Sequence, residues 1–145
     1  MKKILFFILA VILFSCQSEK YASIKDYPKE KSKIIFGNGG GFTGQVNTYI
    51  LLENGQLFSS NSLTNDTKEL KVLKKKEVKA LFKNIEALQM EKRALDNPSN
   101  MYQFLEFVKE GKNYKFQWGN LKDKPEFEDV GKMYEQLIGL LKREN

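Results

Sequence analysis

The spacing of apolar and polar residues changes several times along this chain, and each change marks a boundary. Ile4 to Phe14 is an unbroken apolar run of eleven residues. Ser18 to Lys33 is polar and without useful period, and it ends at the apolar triplet Ile34-Ile35-Phe36, which reads as a short strand. From Val46 to Leu52, β-branched and aromatic residues alternate with period two, which predicts a second strand. Val46, Thr48, Ile50 and Leu52 share one side, while Asn47, Tyr49 and Leu51 share the other. Both sides are partly apolar, as a central strand requires. Asn54-Gly55 then separates this run from Gln56–Ser60 and predicts a hairpin with a type I′ turn, which needs positive φ at both central residues.

Asn61 to Thr67 reads as a polar loop, and Lys68 to Leu73 as extended chain or a turn. Between Lys74 and about Met90 the period becomes helical: Val78, Leu81, Phe82, Ile85 and Leu88 form one stripe, and Lys75, Lys79 and Lys83 another. Those lysines suit a solvated face or attraction to anionic lipid. Asp96-Asn97-Pro98-Ser99 is a turn signature. Met101–Lys109 and Lys112–Trp118 predict a second hairpin around Glu110-Gly111. Asp123-Lys124-Pro125-Glu126 opens a last helix whose stripe is Phe127, Val130, Tyr134, Leu137, Ile138 and Leu141. The expected domain, residues 33–145, is therefore α+β: an antiparallel sheet of four to five strands, in two hairpins, with two helices packed on one face. Residues 16–32 read as a flexible tether, with Tyr21, Ile24 and Tyr27 able to pack back on the domain.

Between the first two strands lies Gly37-Asn38-Gly39-Gly40-Gly41-Phe42-Thr43-Gly44, which holds five of the chain's ten glycines. Gly39 to Gly44 spells G-x-G-x-x-G, but a strand follows where the dinucleotide fingerprint needs a helix. No Lys-Ser/Thr pair follows for a phosphate loop. Two readings remain open. In one, the glycines serve backbone geometry at a turn or bulge. In the other, Gly39, Gly40, Gly41, Phe42, Thr43 and Gly44 form a recognition loop, with Phe42 as apolar anchor and exposed amides as an anion or peptide site.

Composition narrows the chemistry. The 145 residues contain no histidine and one cysteine, Cys16. The commonest general base, an internal disulfide and a thiolate metal cluster are thereby excluded. Carboxylates remain (Glu106, Glu110, Glu126, Glu128, Asp129), but in no catalytic pattern, and surface or helix-dipole roles account for them. The Asn61–Asp66 loop lacks the EF-hand pattern. Trp118 and Tyr114 suit either a core or an aromatic platform. No catalytic residue, cofactor or metal site is expected. The formal charge of +6 is spread over 24 basic and 18 acidic residues, so nucleic acid is not an expected partner.

Met1-Lys2-Lys3, the apolar run and Leu13-Phe14-Ser15-Cys16 together resemble the signal and lipobox of bacterial lipoproteins. Leu13, Ser15 and Cys16 match that pattern; Phe14 departs from the commoner Ala or Ser. The resemblance implies a signal peptide over residues 1–15, cleavage before Cys16, a diacylglyceryl thioether on Cys16 and acylation (palmitate-type) of its amine. Two or three acyl chains anchor stably where one is marginal. The expected location is the cell envelope, lipid-anchored, in the outer membrane of a Gram-negative bacterium. Residues 33–141 also resemble small lipoproteins of Bacteroidetes, which share a Gly-rich loop ahead of a Tyr-containing strand, a Gly turn, a Lys-rich helix and a late Trp118-Gly119. That resemblance implies no activity and no site residues. The expected function is a non-catalytic binding or accessory module for an envelope protein, peptide or glycan. The alternatives are an inhibitor or immunity-type protein presenting Gly37–Gly44 to an enzyme, and a hydrolase of unfamiliar type.

Overall fold

Seven strands, rather than four or five, build the sheet. The computed structural model describes residues 19–143, so the signal peptide and Cys16 lie outside the described residues. The strands are β1 (Lys33–Gly40), β2 (Val46–Leu52), β3 (Gln56–Asn61), β4 (Thr67–Val72), β5 (Asp96–Asn97), β6 (Met101–Lys109) and β7 (Lys112–Trp118). The helices are α1 (Lys75–Ala87) and α2 (Glu128–Lys142). The sheet order is β4-β3-β2-β1-β6-β7-β5, antiparallel except for the β5–β7 pair. The two unexpected strands are the two edges. β4 is an exposed, charged strand opposite a register shift at Leu57/Phe58. β5 is two residues inside the turn signature. β1 also runs on through Gly37–Gly40, so half of the glycine stretch is strand rather than loop.

Both helices cover one face, as expected. Ile34, Phe36, Leu51, Leu57, Leu105, Phe107, Phe116 and Trp118 meet Leu81, Ile85, Leu88, Val130, Met133, Tyr134, Leu137 and Leu140 in one buried cluster. The first hairpin forms with a different turn. Gly55 has φ +94°, but Asn54 is not among the positive-φ residues, and Gly55 N–H donates to Leu52 O at 3.0 Å. This is a type I turn closed by a left-handed glycine. Asn54 is held by its side chain, which donates to Glu19 O and Gln56 Oε1, each at 2.6 Å, and accepts from Gln56 N. The doubly positive turn occurs at Glu110 (φ +51°) and Gly111 (φ +75°).

The opposite face has its own smaller cluster, Tyr27, Leu52 and Phe58, with Tyr21, Ile24 and Ile50 against it. Residues 19–32 are therefore docked on the sheet rather than trailing from it. Tyr27 Oη donates to Ser32 O (2.7 Å), and buried Gln56 exchanges hydrogen bonds with the backbone of Tyr21 (2.7 and 2.8 Å).

The sheet has two distinct ends. At the turn end are the β2–β3 and β6–β7 turns. At the loop end are the β1–β2, β3–β4 and β5–β6 connections. α1 crosses the turn end: Leu73, just before it, donates to Gly55 O (2.9 Å), and Glu86, near its end, pairs with Lys109 (2.8 Å). α2 crosses the middle, from Phe127 against Phe116 of β7 to Leu140, whose carbonyl takes Lys71 Nζ of β4 (3.1 Å).

Candidate functional site

The glycine stretch divides at residue 40. In β1, the register places Gly37 opposite Phe104 and Gly39 opposite Tyr102. A Cβ on Gly37 would stand 1.9 Å from Asn47 O and 2.8 Å from the Phe104 ring; one on Gly39 would stand 2.7 Å from Tyr102 Oη. The neighbouring rings fill the space that side chains would take, and that is why glycines persist in a strand. Gly37 is also held from the helix face, where buried Tyr134 Oη donates to its carbonyl (3.0 Å). Burial pushes the Tyr134 hydroxyl up to about 12.

Beyond residue 40 the loop turns on dihedral angles: Gly40, Gly41 and Gly44 have φ of +100°, +75° and +61°. Its amides point inward. Gly40 N donates to Gln45 O (3.2 Å), Gly41 N to Asn100 O (2.8 Å), Gly44 N to Gly41 O (3.2 Å) and Gln45 N to Thr43 Oγ1 (3.4 Å). The expected anion cradle therefore has three of its own donors, and that of Gln45 just beyond it, occupied by protein oxygens. What the loop offers outward is Phe42, wholly exposed at its tip. Met101 and Leu63, the other exposed large apolar residues of the loop end, are each 60% exposed.

Behind the loop lies a feature the sequence did not disclose. Asn61, Asn47, Asn38 and Gln103 are successive cross-strand partners, so they form one amide row across β3, β2, β1 and β6. They lie on the helix side of the sheet, beyond the part that α2 covers. Asn61 Nδ2 donates to Asn47 Oδ1 (2.9 Å), and Asn47 Nδ2 to Asn38 Oδ1 (3.2 Å). Gln103 Oε1 accepts from Trp118 Nε1 (2.7 Å), and Trp118 packs edge-on to Tyr134, so this tryptophan is core rather than platform. The row opens into a cleft of about 580 Å³ lined by Asn47, Tyr49, Ser59 and Asn61, with the charged Asp66 and Lys68 and the apolar Leu141 also on its wall. Neutral donors and acceptors beside an aromatic ring are the groups that take sugar hydroxyls or a peptide backbone.

Three of the five carboxylates considered as acids or bases are held in ion pairs. Glu106 pairs with Lys115 (3.2 Å) and Glu128 with Lys132 (2.6 Å). Asp129 pairs with Arg93 (2.6 Å), and this contact holds its carboxyl below the usual range. Arg93 also bonds the Leu88 and Glu126 carbonyls and covers the Phe127 ring at 4.8 Å, which ties α2 to the end of α1. Among the described residues, no group of three or more Cys, Asp or Glu is placed to hold a metal ion, and no helix is long and apolar enough to cross a membrane.

The fold is an α+β domain with a polar cleft at one end of its sheet. Neither a protein-family model nor a curated protein matches the chain.

Proposed function

We propose that this protein is a lipid-anchored envelope protein whose domain is a non-catalytic binding module, and that the loop end is its binding surface. The observation that carries the reading is where the chain leaves the domain. Glu19 is tied to the turn end through Asn54 (2.6 Å), at the opposite end of the sheet from Phe42. Cys16 lies three residues upstream, within about 10 Å of extended chain. A seven-residue strand separates the two ends by roughly 20–25 Å. An acylated Cys16 thus sets the turn end on the bilayer and turns Phe42, the amide row and the cleft away from it. A partner meeting this surface finds an apolar tip beside neutral amides, which suits a peptide or glycan strand. The fully exposed Phe42 also suits insertion into an enzyme cleft, the geometry of an inhibitor.

Two measurements test this. Cys16→Ser is expected to release the protein from membranes; continued detergent-dependent partitioning of that variant overturns the anchor. A photo-crosslinking residue at Phe42, in cells, is expected to give one discrete adduct that the same probe at Lys112 does not give. No adduct from Phe42, or the same adduct from both ends, removes the loop end as the binding surface. A stoichiometric enzyme in the adduct selects the inhibitor.

A further inference from the structure

The turn end carries a second surface. Lys75, Lys79 and Lys83 recur every four residues on α1 and are all exposed. None of them forms an ion pair among the described residues. They rim a cleft of about 480 Å³ between α1 and the strand ends at Ser32 and Glu53. Its floor is apolar: Val78 is buried, and Phe82 packs edge-on to Phe107 at 6.3 Å. Two carboxylates stand at its margin, against three lysines. Glu86 takes Lys109 at 2.8 Å, and Glu53 is within 3.5 Å of Tyr27 Oη. The row occupies the same end of the sheet as Glu19 and the Asn54 turn, where the chain comes in from Cys16.

We infer that this cleft and its lysine row are a docking surface for anionic phospholipid headgroups, with the phosphates on Lys75, Lys79 and Lys83 and the glycerol region against Val78 and Phe82. The inference rests on the anchored reading for its biological setting. A lipid chain on Cys16 and a basic patch beside it are the two signals that together hold a protein firmly to a bilayer. The patch also fixes orientation, since the lysine row lays α1 on the surface.

The test uses residues 16–145 with Cys16→Ser, a chain that keeps every residue of the described structure and carries no acyl group. Its outcome is therefore independent of whether Cys16 is modified. Cosedimentation is expected with phosphatidylglycerol-containing vesicles and not with phosphatidylcholine vesicles. Each lysine near the surface contributes about 1 kcal/mol, or about 5-fold, so Lys75→Gln/Lys79→Gln/Lys83→Gln together should weaken partitioning on the order of 100-fold. Lys122→Gln/Lys124→Gln, remote from α1, should leave it unchanged. Equal binding to both vesicle types, an unaffected triple variant, or an equal loss from the Lys122/Lys124 pair overturns the proposal. Nitroxide labels placed by Lys79→Cys and Phe42→Cys in the same chain provide a second readout. The label at 79 should be shielded from an aqueous relaxant on vesicles and the label at 42 should not; the reverse order overturns the orientation.

Discussion

The two halves of the glycine stretch look alike in sequence and differ in what holds them. Gly37 and Gly39 sit in extended backbone between two partner strands, and the absent side chain is what matters: Phe104, Tyr102 and the Asn47 carbonyl occupy its place. Gly44 has nothing within 4 Å of a built Cβ, and there the dihedral angle of +61° is the constraint. The first half is packing; the second is conformation, with Phe42 carried at its tip. Glycine richness alone thus does not separate a recognition loop from a strand pressed against aromatic rings. The identity of the cross-strand neighbour does.

Substitutions can break this distinction. Gly37→Ala drives a methyl into backbone, so it should cost about 3 kcal/mol or more in chemical denaturation, above the usual range for overpacking. A loss below about 1 kcal/mol would mean that the strand is not packed as described. Tyr134→Phe removes the donor that the Gly37 carbonyl takes from α2 in addition to its place in the β1 ladder, and should cost about 0.5–1.5 kcal/mol. The same hydroxyl governs the alkaline limb. Burial raises both Tyr134 and Tyr27 to about 12, so their contribution is complete below the unfolded pKa of about 10 and is lost as pH rises from there towards 12. A pH titration of stability should show this decline, and it should be shallower in Tyr134→Phe. Gly44→Ala places an L-residue in left-handed backbone with open space around it, at about 1 kcal/mol. If it costs as much as Gly37→Ala, the contrast between the halves fails. Phe42→Ala should change stability by no more than about 0.5 kcal/mol while abolishing the adduct given by a photo-crosslinking residue placed at the neighbouring, exposed Met101. A large loss of stability would instead make Phe42 a structural residue.

The five expected strands and both helices were legible because each carries an unbroken run of one period. β4 was not, because at an edge Lys68, Glu69 and Lys71 need no apolar alternation, and the register shift opposite Leu57/Phe58 disrupts what alternation there is. β5 was hidden because Asp96-Asn97-Pro98 has turn chemistry, and its pairing with Gln117 and Trp118 comes from tertiary structure. Gly37–Gly40 went unread as strand because glycine's propensity opposes it and the compensating rings lie more than sixty residues away in the chain. At Asn54, hydrogen bonds to Glu19 and Gln56 decide the turn, and neither follows from the Asn-Gly pair. Of the candidate site, Phe42 was visible as an apolar residue among glycines. The amide row was not, because Asn38, Asn47, Asn61 and Gln103 align only once the register of four strands is fixed. Likewise the spacing of Lys75, Lys79 and Lys83 shows a stripe, but only the course of α1 across the turn end places that stripe beside the incoming chain.

Both margins of the sheet end in ways that resist further pairing. β4 presents Lys68, Glu69 and Lys71 along a bulged edge, and β5 stops after two residues at Pro98. An open strand edge is a template for the same edge of another molecule, and charge, irregularity and brevity are what defeat it. Copies brought side by side at high density would therefore find no long regular edge at β4 or β5 to pair with. Removing the charges from β4 should then reveal itself as concentration-dependent clustering before any change in the fold.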